Sequence, residues 1–339
     1  MSLTLSSAEI VAELPRPTPL LAVRDLKIEF GTHQGLLTAV DGVTFDVMPG
    51  EVLGMVGESG AGKSITGNAV IGLIEPPGRI TAGEIVFEGQ RLDRLSAEEM
   101  RRIRGRRIGA IFQDPLTSLN PLFTVGQQLT ETIRTHLGLS EREARKRALF
   151  WLNEVGIPAA ESRIDHYPHQ FSGGMRQRVV IALALCSEPK LVIADEPTTA
   201  LDVSTQAQII KLLGRLSREH NTAIILVTHD MGVIAEMADR VAIMYAGRII
   251  EIGPVRDVIL FPDHPYTAGL MRSIPMIGKR TRRMPQIDGS MPRLNNRPTG
   301  CAFHPRCTRQ FEPCAIRRPP LDQHGAKALA CWLYTEPRQ

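Results

Sequence analysis

The residues Gly57-Glu58-Ser59-Gly60-Ala61-Gly62-Lys63-Ser64 follow the spacing G-x-x-x-x-G-K-S/T. The chemistry of that spacing is the cradling of phosphate. Glycines let the backbone turn tightly and aim N–H groups at phosphate oxygens, and a following helix start adds partial positive charge. An apolar run at 51–56 reads as the strand before the loop, and residues 65–74 read as the helix after it. In that context Lys63 would reach the β- and γ-phosphates of a nucleotide, and Ser64 would hold Mg2+.

A second group of residues can act on what the loop holds. Leu191-Val192-Ile193-Ala194 is continuously apolar and ends in Asp195 and Glu196. Such a run fits a central parallel strand buried on both faces, and ligands bind at the carboxyl ends of such strands. Asp195 can hold Mg2+ directly or through water. Glu196 can take the proton of a water attacking the γ-phosphate. Gln113 ends a strand at 108–112 and carries an amide suited to touch both metal and water. His229 ends a buried strand at 223–228, where its imidazole could approach the γ-phosphate beside Glu196 or stand solvated.

The segment Phe171-Ser172-Gly173-Gly174-Met175 is a further anion site by the same physics, with a serine hydroxyl, two glycines and a fresh helix start. One ATP can occupy only one of the two sites. The economical arrangement is a dimer in which each loop's ATP is covered by the partner's Ser172, Gly173 and Gly174.

These residues need strands to end together and helices to start there. Strands read at 20–30, 39–47 and 80–87 make a strand-rich lobe around the loop. Phe30 in the first could stack on adenine or serve as a core aromatic. A helix at 96–107 opens with Ser96 and Glu99 as a capping box. Its basic tail, 101–107, is either a solvated helix end or a nucleic-acid patch. Helices at 125–137 and 141–155 make an all-helical insert, about 114–171, in a parallel α/β core. Helices at 172–186, 205–219 and 231–237 and a hairpin at 241–252 complete that core. Residues 1–19 read as a loosely ordered leader without the features of a signal peptide.

Composition narrows the class. The net charge of +4, from 40 basic and 36 acidic residues, does not choose between nucleotide, membrane surface and nucleic acid. The longest apolar runs, 179–186 and 223–227, fall well short of the ~18 residues that span a bilayer. An intracellular chain is expected, whose five cysteines are not structural disulfides.

Taken in order, residues 57–64, Gln113, Ser172-Gly173-Gly174, residues 191–196, Ala200-Leu201-Asp202 and His229 resemble the motif set of ABC-transporter ATPase subunits. They correspond to the Walker A loop, Q-loop, signature, Walker B strand, D-loop and switch histidine. The resemblance covers about residues 20–255, so residues 20–254 are expected to be an ABC ATPase domain. It implies a P-loop α/β fold with a parallel-sheet lobe, an antiparallel β subdomain and the inserted helical subdomain. It also implies an ATP-driven head-to-tail dimer, a nucleotide role for Asp202, and Phe30 as the adenine-stacking aromatic. Phe171 and Met175 depart from the common signature, in a way similar to the peptide-importer branch.

His264-Pro265-Tyr266-Thr267, with Leu270 and Ser273-Ile274-Pro275, resembles the C-terminal signature of dipeptide and oligopeptide importer ATPases. Residues 255–339 are therefore expected to be a small importer-type appendage. The resemblance implies two membrane-spanning permease subunits, an extracytoplasmic solute-binding protein and a peripheral place on the cytoplasmic face of the membrane. The second ATPase is either another copy or a paralogue. The appendage carries Cys301, Cys307, Cys314 and Cys331, spaced C-x5-C-x6-C-x16-C. Four thiols in one short segment suit a metal: a 4Fe-4S cluster, or Zn2+ although the gaps are wide for it. Free thiols are the third reading, and Cys186 reads as plain core. The alternative function is a soluble ABC ATPase acting on nucleic acid or ribosomes through 101–107 and 279–283. A single motif set and the importer-like appendage argue against it, and no nucleic-acid partner is expected.

Overall fold

The computed structural model describes residues 18–33, 35–199, 201–274 and 286–334. The leader up to residue 17, Ala200, Pro275 and the basic stretch 279–283 lie outside the described residues.

The chain begins with two long antiparallel strands, β1 (Leu21–Thr32) and β2 (Gly35–Val47). β3 (Val52–Val56) is wholly buried and leads through the phosphate loop into α1 (Lys63–Val70). That helix starts earlier and stops earlier than the apolar pattern at 65–74 indicates, because the lysine and serine of the loop already form its first turn. β4 (Gly78–Phe87) and the short β5 (Gln90–Arg91) complete an antiparallel sheet of order β2-β1-β4-β5.

α2 (Ala97–Ile103) has the expected Ser96/Glu99 capping box. It ends at Ile103 rather than at 107, since Arg104 is extended and Gly105 sits at φ 76°. The basic run is thereby broken up. Arg101 pairs with Glu98, while Arg104 donates to the Ile71 carbonyl and Arg106 to the Ser187 carbonyl. Arg107 pairs with Glu88. Arg104, Arg106 and Arg107 tie neighbouring segments together, while Arg101 and Arg102 stay exposed and pair with Glu98 of their own helix.

After β6 (Ile108–Ile111) comes the helical layer: α3 (Pro115–Ser118), α4 (Val125–Leu137), α5 (Glu141–Glu154) and α6 (Ala160–Arg163). Thr124/Gln127 and Ser140/Glu143 are capping boxes that start α4 and α5, each satisfying amides left open by a helix start. Trp151 is fully buried beneath them with Leu129, Ile133 and Val155.

The chain then returns to the α/β pattern. α7 (Gly173–Leu185) leads to β7 (Leu191–Asp195), and α8 (Val203–His220) to β8 (Ala223–Thr228). α9 (Met231–Met237), β9 (Arg240–Tyr245) and β10 (Arg248–Pro254) follow. Asp202 caps α8 from outside, which places the helix start two residues before the expected 205.

Beyond β10 lie α10 (Val255–Leu260), α11 (Pro265–Arg272) and α12 (Glu312–Ile316), then a hairpin of β11 (Asp322–His324) and β12 (Lys327–Leu329). The hairpin does not stand apart. β12 pairs with β10, so the central sheet runs β11-β12-β10-β9-β3-β8-β7-β6.

β9, β3, β8, β7 and β6 are mutually parallel. Alternate residues of the inner strands face different cores. Val52, Val56, Val192, Ala194, Ile224 and Leu226 join the core shared with the helical layer. Leu53, Met55, Ile193, Ile225 and Val227 join the core under α1 and the antiparallel sheet. Burial on both faces is why these strands read as unbroken apolar runs.

Candidate active site

The parallel order puts the carboxyl ends of β3, β8, β7 and β6 side by side, where an open α/β sheet binds ligands. The phosphate loop leaves β3, His229 follows β8, Asp195 and Glu196 end β7, and Gln113 follows β6.

Loop geometry is set by glycine where a side chain would not fit. A Cβ at Gly57 would lie 2.2 Å from the Met244 carbonyl oxygen. Gly60 and Gly62 hold φ of 81° and 101°, a region open to glycine and strained for other residues. Ala61 is buried, and Ser59 and Gly60 form the exposed crest. Lys63 is buried at 6% exposure, and its Nζ donates to the carbonyls of Gly57 (2.8 Å) and Glu58 (3.1 Å). Burial lowers its pKa, opposed by the charges of Glu196 and Asp195.

Ser64 Oγ donates to Asp195 Oδ1 at 3.0 Å. Burial pushes the Asp195 carboxyl up, the Glu196 charge adds to this, and the Ser64 bond and Lys63 oppose it. A hydroxyl and a half-buried carboxylate whose ionised form lacks a full counter-charge are hard oxygen donors of the kind Mg2+ takes.

Glu196 is the most constrained member. Its φ is 45°, unusual for a long side chain. Its amide donates to the Val227 carbonyl at 2.8 Å, and its carbonyl accepts from Thr199 N at 3.1 Å, so β8 and the next turn hold it there. Strain held by surrounding structure is a recurrent feature of active sites. On the side chain, Oε2 accepts from Thr199 Oγ1 (2.8 Å) and Gln113 Nε2 (3.2 Å), while Oε1 lies 3.2 Å from His229 Nδ1. Burial raises its pKa, but the hydrogen bonds of Thr199 and His229 and the charges of His229 and Lys63 outweigh it. The carboxyl is held below the ordinary glutamate range. Thr199 had no signal in the sequence beyond its place after the carboxylates.

The remaining expected residues lie elsewhere. Ser172 caps α7 by accepting from Met175 N at 3.3 Å. A Cβ on Gly174 would come within 2.7 Å of Thr205 Cγ2. Thr205 is in turn bound by Asp202, which accepts from its amide (2.9 Å) and hydroxyl (2.7 Å). Those bonds and Ser204 Oγ take Asp202 down to a pKa of about 2. The signature segment and Asp202 thus share one contact through Thr205. Phe30 is half-buried on β1 opposite Gly78, packed against the antiparallel-sheet core.

The four cysteines of the appendage lie near enough to affect one another's thiols. Burial pushes the thiols of Cys301 and Cys331 up to about 11 and raises Cys307. Cys307 and Cys314 add to the rise at Cys301, and Cys301, Cys307 and Cys314 to that at Cys331. The Cys301 amide donates to the Cys314 carbonyl at 2.8 Å. Among the described residues, the group of three candidate ligands with donor atoms mutually within 4.8 Å is instead Glu154, Glu219 and His220. There Arg215 pairs with both glutamates, which accounts for that cluster. Cys186 is fully buried, and burial pushes its thiol up to about 12.

A parallel sheet feeding a phosphate loop, with two carboxylates, a glutamine and a histidine at its strand ends, defines an ATP-binding cassette. The family profile described as "ABC transporter" matches residues 40–199, and "Oligopeptide/dipeptide transporter, C-terminal region" matches residues 250–314. The dipeptide transport ATP-binding protein DppD of Bacillus subtilis is 48% identical over 316 residues, covering 93% of this chain and 94% of that one. The oligopeptide transport ATP-binding protein OppD of Salmonella typhimurium is 48% identical over 334 residues, covering 98% and 99%. A dimeric ATP-binding cassette, MJ0796, in a post-hydrolysis state with ADP and Pi superposes with TM-score 0.63 at 30% identity, over 70% of this chain and 99% of that one. The chain belongs to the family of ABC-transporter ATP-binding subunits that these relatives represent. Among the described residues no helix is long and apolar enough to cross a membrane.

Proposed function

We propose that this chain is the ATP-hydrolysing subunit that energises import of dipeptides or oligopeptides through an ABC transporter, from the cytoplasmic face of the membrane. The observation that carries the chemistry is the ring of donors on Glu196. Thr199, Gln113 and His229 aim a carboxylate of lowered pKa from the end of β7. In this reading Glu196 accepts the proton of the attacking water, while Gln113 and His229 orient it. The residues of the loop 57–64 supply amides to the phosphates, with Lys63 as the positive charge and Phe30 against the adenine. Ser64, Asp195 and Gln113 would hold Mg2+, which neutralises charge on the phosphates when bound.

Ser172, Gly173 and Gly174 open a separate helix, and Asp202 sits beside them through Thr205. That favours their use on a partner's ATP in a head-to-tail dimer with a copy or a paralogue. Phe112, Leu122 and Phe123 flank the segment after Gln113 and are exposed apolar side chains. They suit contact with two separate permease subunits, to which a solute-binding protein would deliver peptide.

Four thiols in one short segment, with gaps wide for zinc, suit a 4Fe-4S cluster, with Zn2+ as the alternative. Cys301, Cys307, Cys314 and Cys331 would hold the cluster, which supplies a redox-active cross-link when bound.

Peptide uptake in cells that lack this chain, restored by the wild-type gene and not by Glu196→Gln, is the expected result. Uptake unchanged by loss of the chain would overturn the proposal.

A further inference from the structure

The importer-like motif His264-Pro265-Tyr266 and the residue just before Cys307 meet on the phosphate loop. Glu58 is gripped at each of its polar groups. Its amide donates to Tyr266 Oη at 3.0 Å. Its carboxylate accepts from Arg306 Nη1 at 3.0 and 3.1 Å. Its carbonyl accepts from Lys63 Nζ at 3.1 Å, next to the Gly57 carbonyl that takes the same ammonium.

The two grips are themselves anchored. His264 is buried and caps α11, its Nδ1 accepting from the Tyr266 amide at 3.0 Å. Tyr266 is fully buried against Tyr245 and Phe303, with ring centroids 4.7 and 5.4 Å away. Arg306 has only 8% of its side chain exposed. Its Nε donates to the Asp288 carbonyl at 2.8 Å and its guanidinium lies over Phe303. A buried guanidinium with few routes to water binds a carboxylate more firmly than a surface pair does.

We infer that Tyr266 and Arg306 are positioning residues of the nucleotide site: they fix the Glu58 peptide so that its carbonyl holds the Lys63 ammonium ready for phosphate. Binding is tighter when the receiving group is already in place. The appendage is then part of the ATP site. This rests on the ATPase reading above.

The test is ATP affinity of the full chain, from KM and from equilibrium binding of a non-hydrolysable ATP analogue, alongside the unfolding temperature. Tyr266→Phe keeps the aromatic packing and removes only the hydroxyl. It is expected to weaken binding about 3- to 10-fold, the worth of one neutral hydrogen bond. Arg306→Met is expected to weaken it about 10- to 100-fold, as loss of a charge-assisted pair does. In both, kcat at saturating ATP changes less than about two-fold, because ground-state and transition-state binding fall together. Glu58→Gln combined with Arg306→Met should be no worse than the single Arg306 change.

Unchanged affinity in Tyr266→Phe and Glu58→Gln overturns the inference, even if Arg306→Met fails to fold. So does a drop in unfolding temperature alone, or single effects that multiply in the double variant. Wild-type chain that bound no ATP would instead remove the ATPase reading beneath it.

Discussion

His229 Nδ1 lies 3.2 Å from Glu196 Oε1, so side chains at the ends of two neighbouring parallel strands meet. Removing the carboxylate's basicity while keeping its shape isolates its role. Glu196→Gln is expected to retain ATP binding and lose hydrolysis by at least about 10²-fold, the usual size of a general-base contribution. Phosphate release and nucleotide binding, measured on the same preparation, check this. Lys63→Ala is expected to lose binding itself.

The lowered pKa of Glu196 fixes the direction of a pH effect. A base stops working as pH falls through its pKa, so the acid limb of kcat/KM, which reports the nucleotide-free protein, should lie below the ordinary glutamate range. Thr199→Val removes a hydrogen bond that lowers this pKa. The acid limb should then move to higher pH, which a pH–rate profile reads directly.

Gly174 faces Thr205 with no room for a methyl group. Gly174→Ala should therefore destabilise the chain by about 1–3 kcal/mol, the range for overpacking. Thr205→Ser deletes the obstructing Cγ2 and keeps the hydroxyl bound to Asp202. Denaturant unfolding of the two single variants and the double variant should show that the serine recovers part of the loss.

His264 is buried, and burial takes its pKa down to about 3 from an ordinary value of 6.5. Between those values the unfolded chain binds a proton that the folded chain does not. Stability should therefore fall as pH drops below about 6.5, by up to about 1.4 kcal/mol per pH unit. His264→Asn keeps an acceptor for the Tyr266 amide and removes the titration. Its unfolding free energy should show a shallower slope over the same range.

Anaerobic purification followed by iron, sulfide and zinc analysis should find about four irons and four sulfides per chain, as a 4Fe-4S centre on four thiolates requires. Replacing Cys331 by Ser should reduce that content. About one zinc per chain would overturn the cluster reading.

Much of the candidate site is legible in the sequence because its residues are tied to strand ends. The apolar runs before Lys63, Asp195 and His229 mark buried parallel strands, and their terminal residues must share one edge. The helix that begins at Lys63 was misplaced because its polar first turn breaks the apolar periodicity. The end of α2 at Ile103 depends on Gly105 at positive φ and on arginines that find partners 17 or more residues away. The contacts of Thr199 with Glu196, and of Tyr266 and Arg306 with Glu58, leave no such signal. They cross from one segment to another, and no local period records such a contact.

β12 covers the outer side of β10, with Ala330 N donating to the Ile250 carbonyl at 2.9 Å. It pairs with Glu251 and Ile252, and the sheet then ends on the short polar strand Asp322-Gln323-His324. A cassette cut back to residue 254 would leave the Ile249, Ile250 and Ile252 strand open to pairing with other molecules. Such a truncation should precipitate on expression, even though every residue of the phosphate-binding ring would still be present. Besides its contacts with the loop, the appendage would on this reasoning shield the sheet edge from other chains.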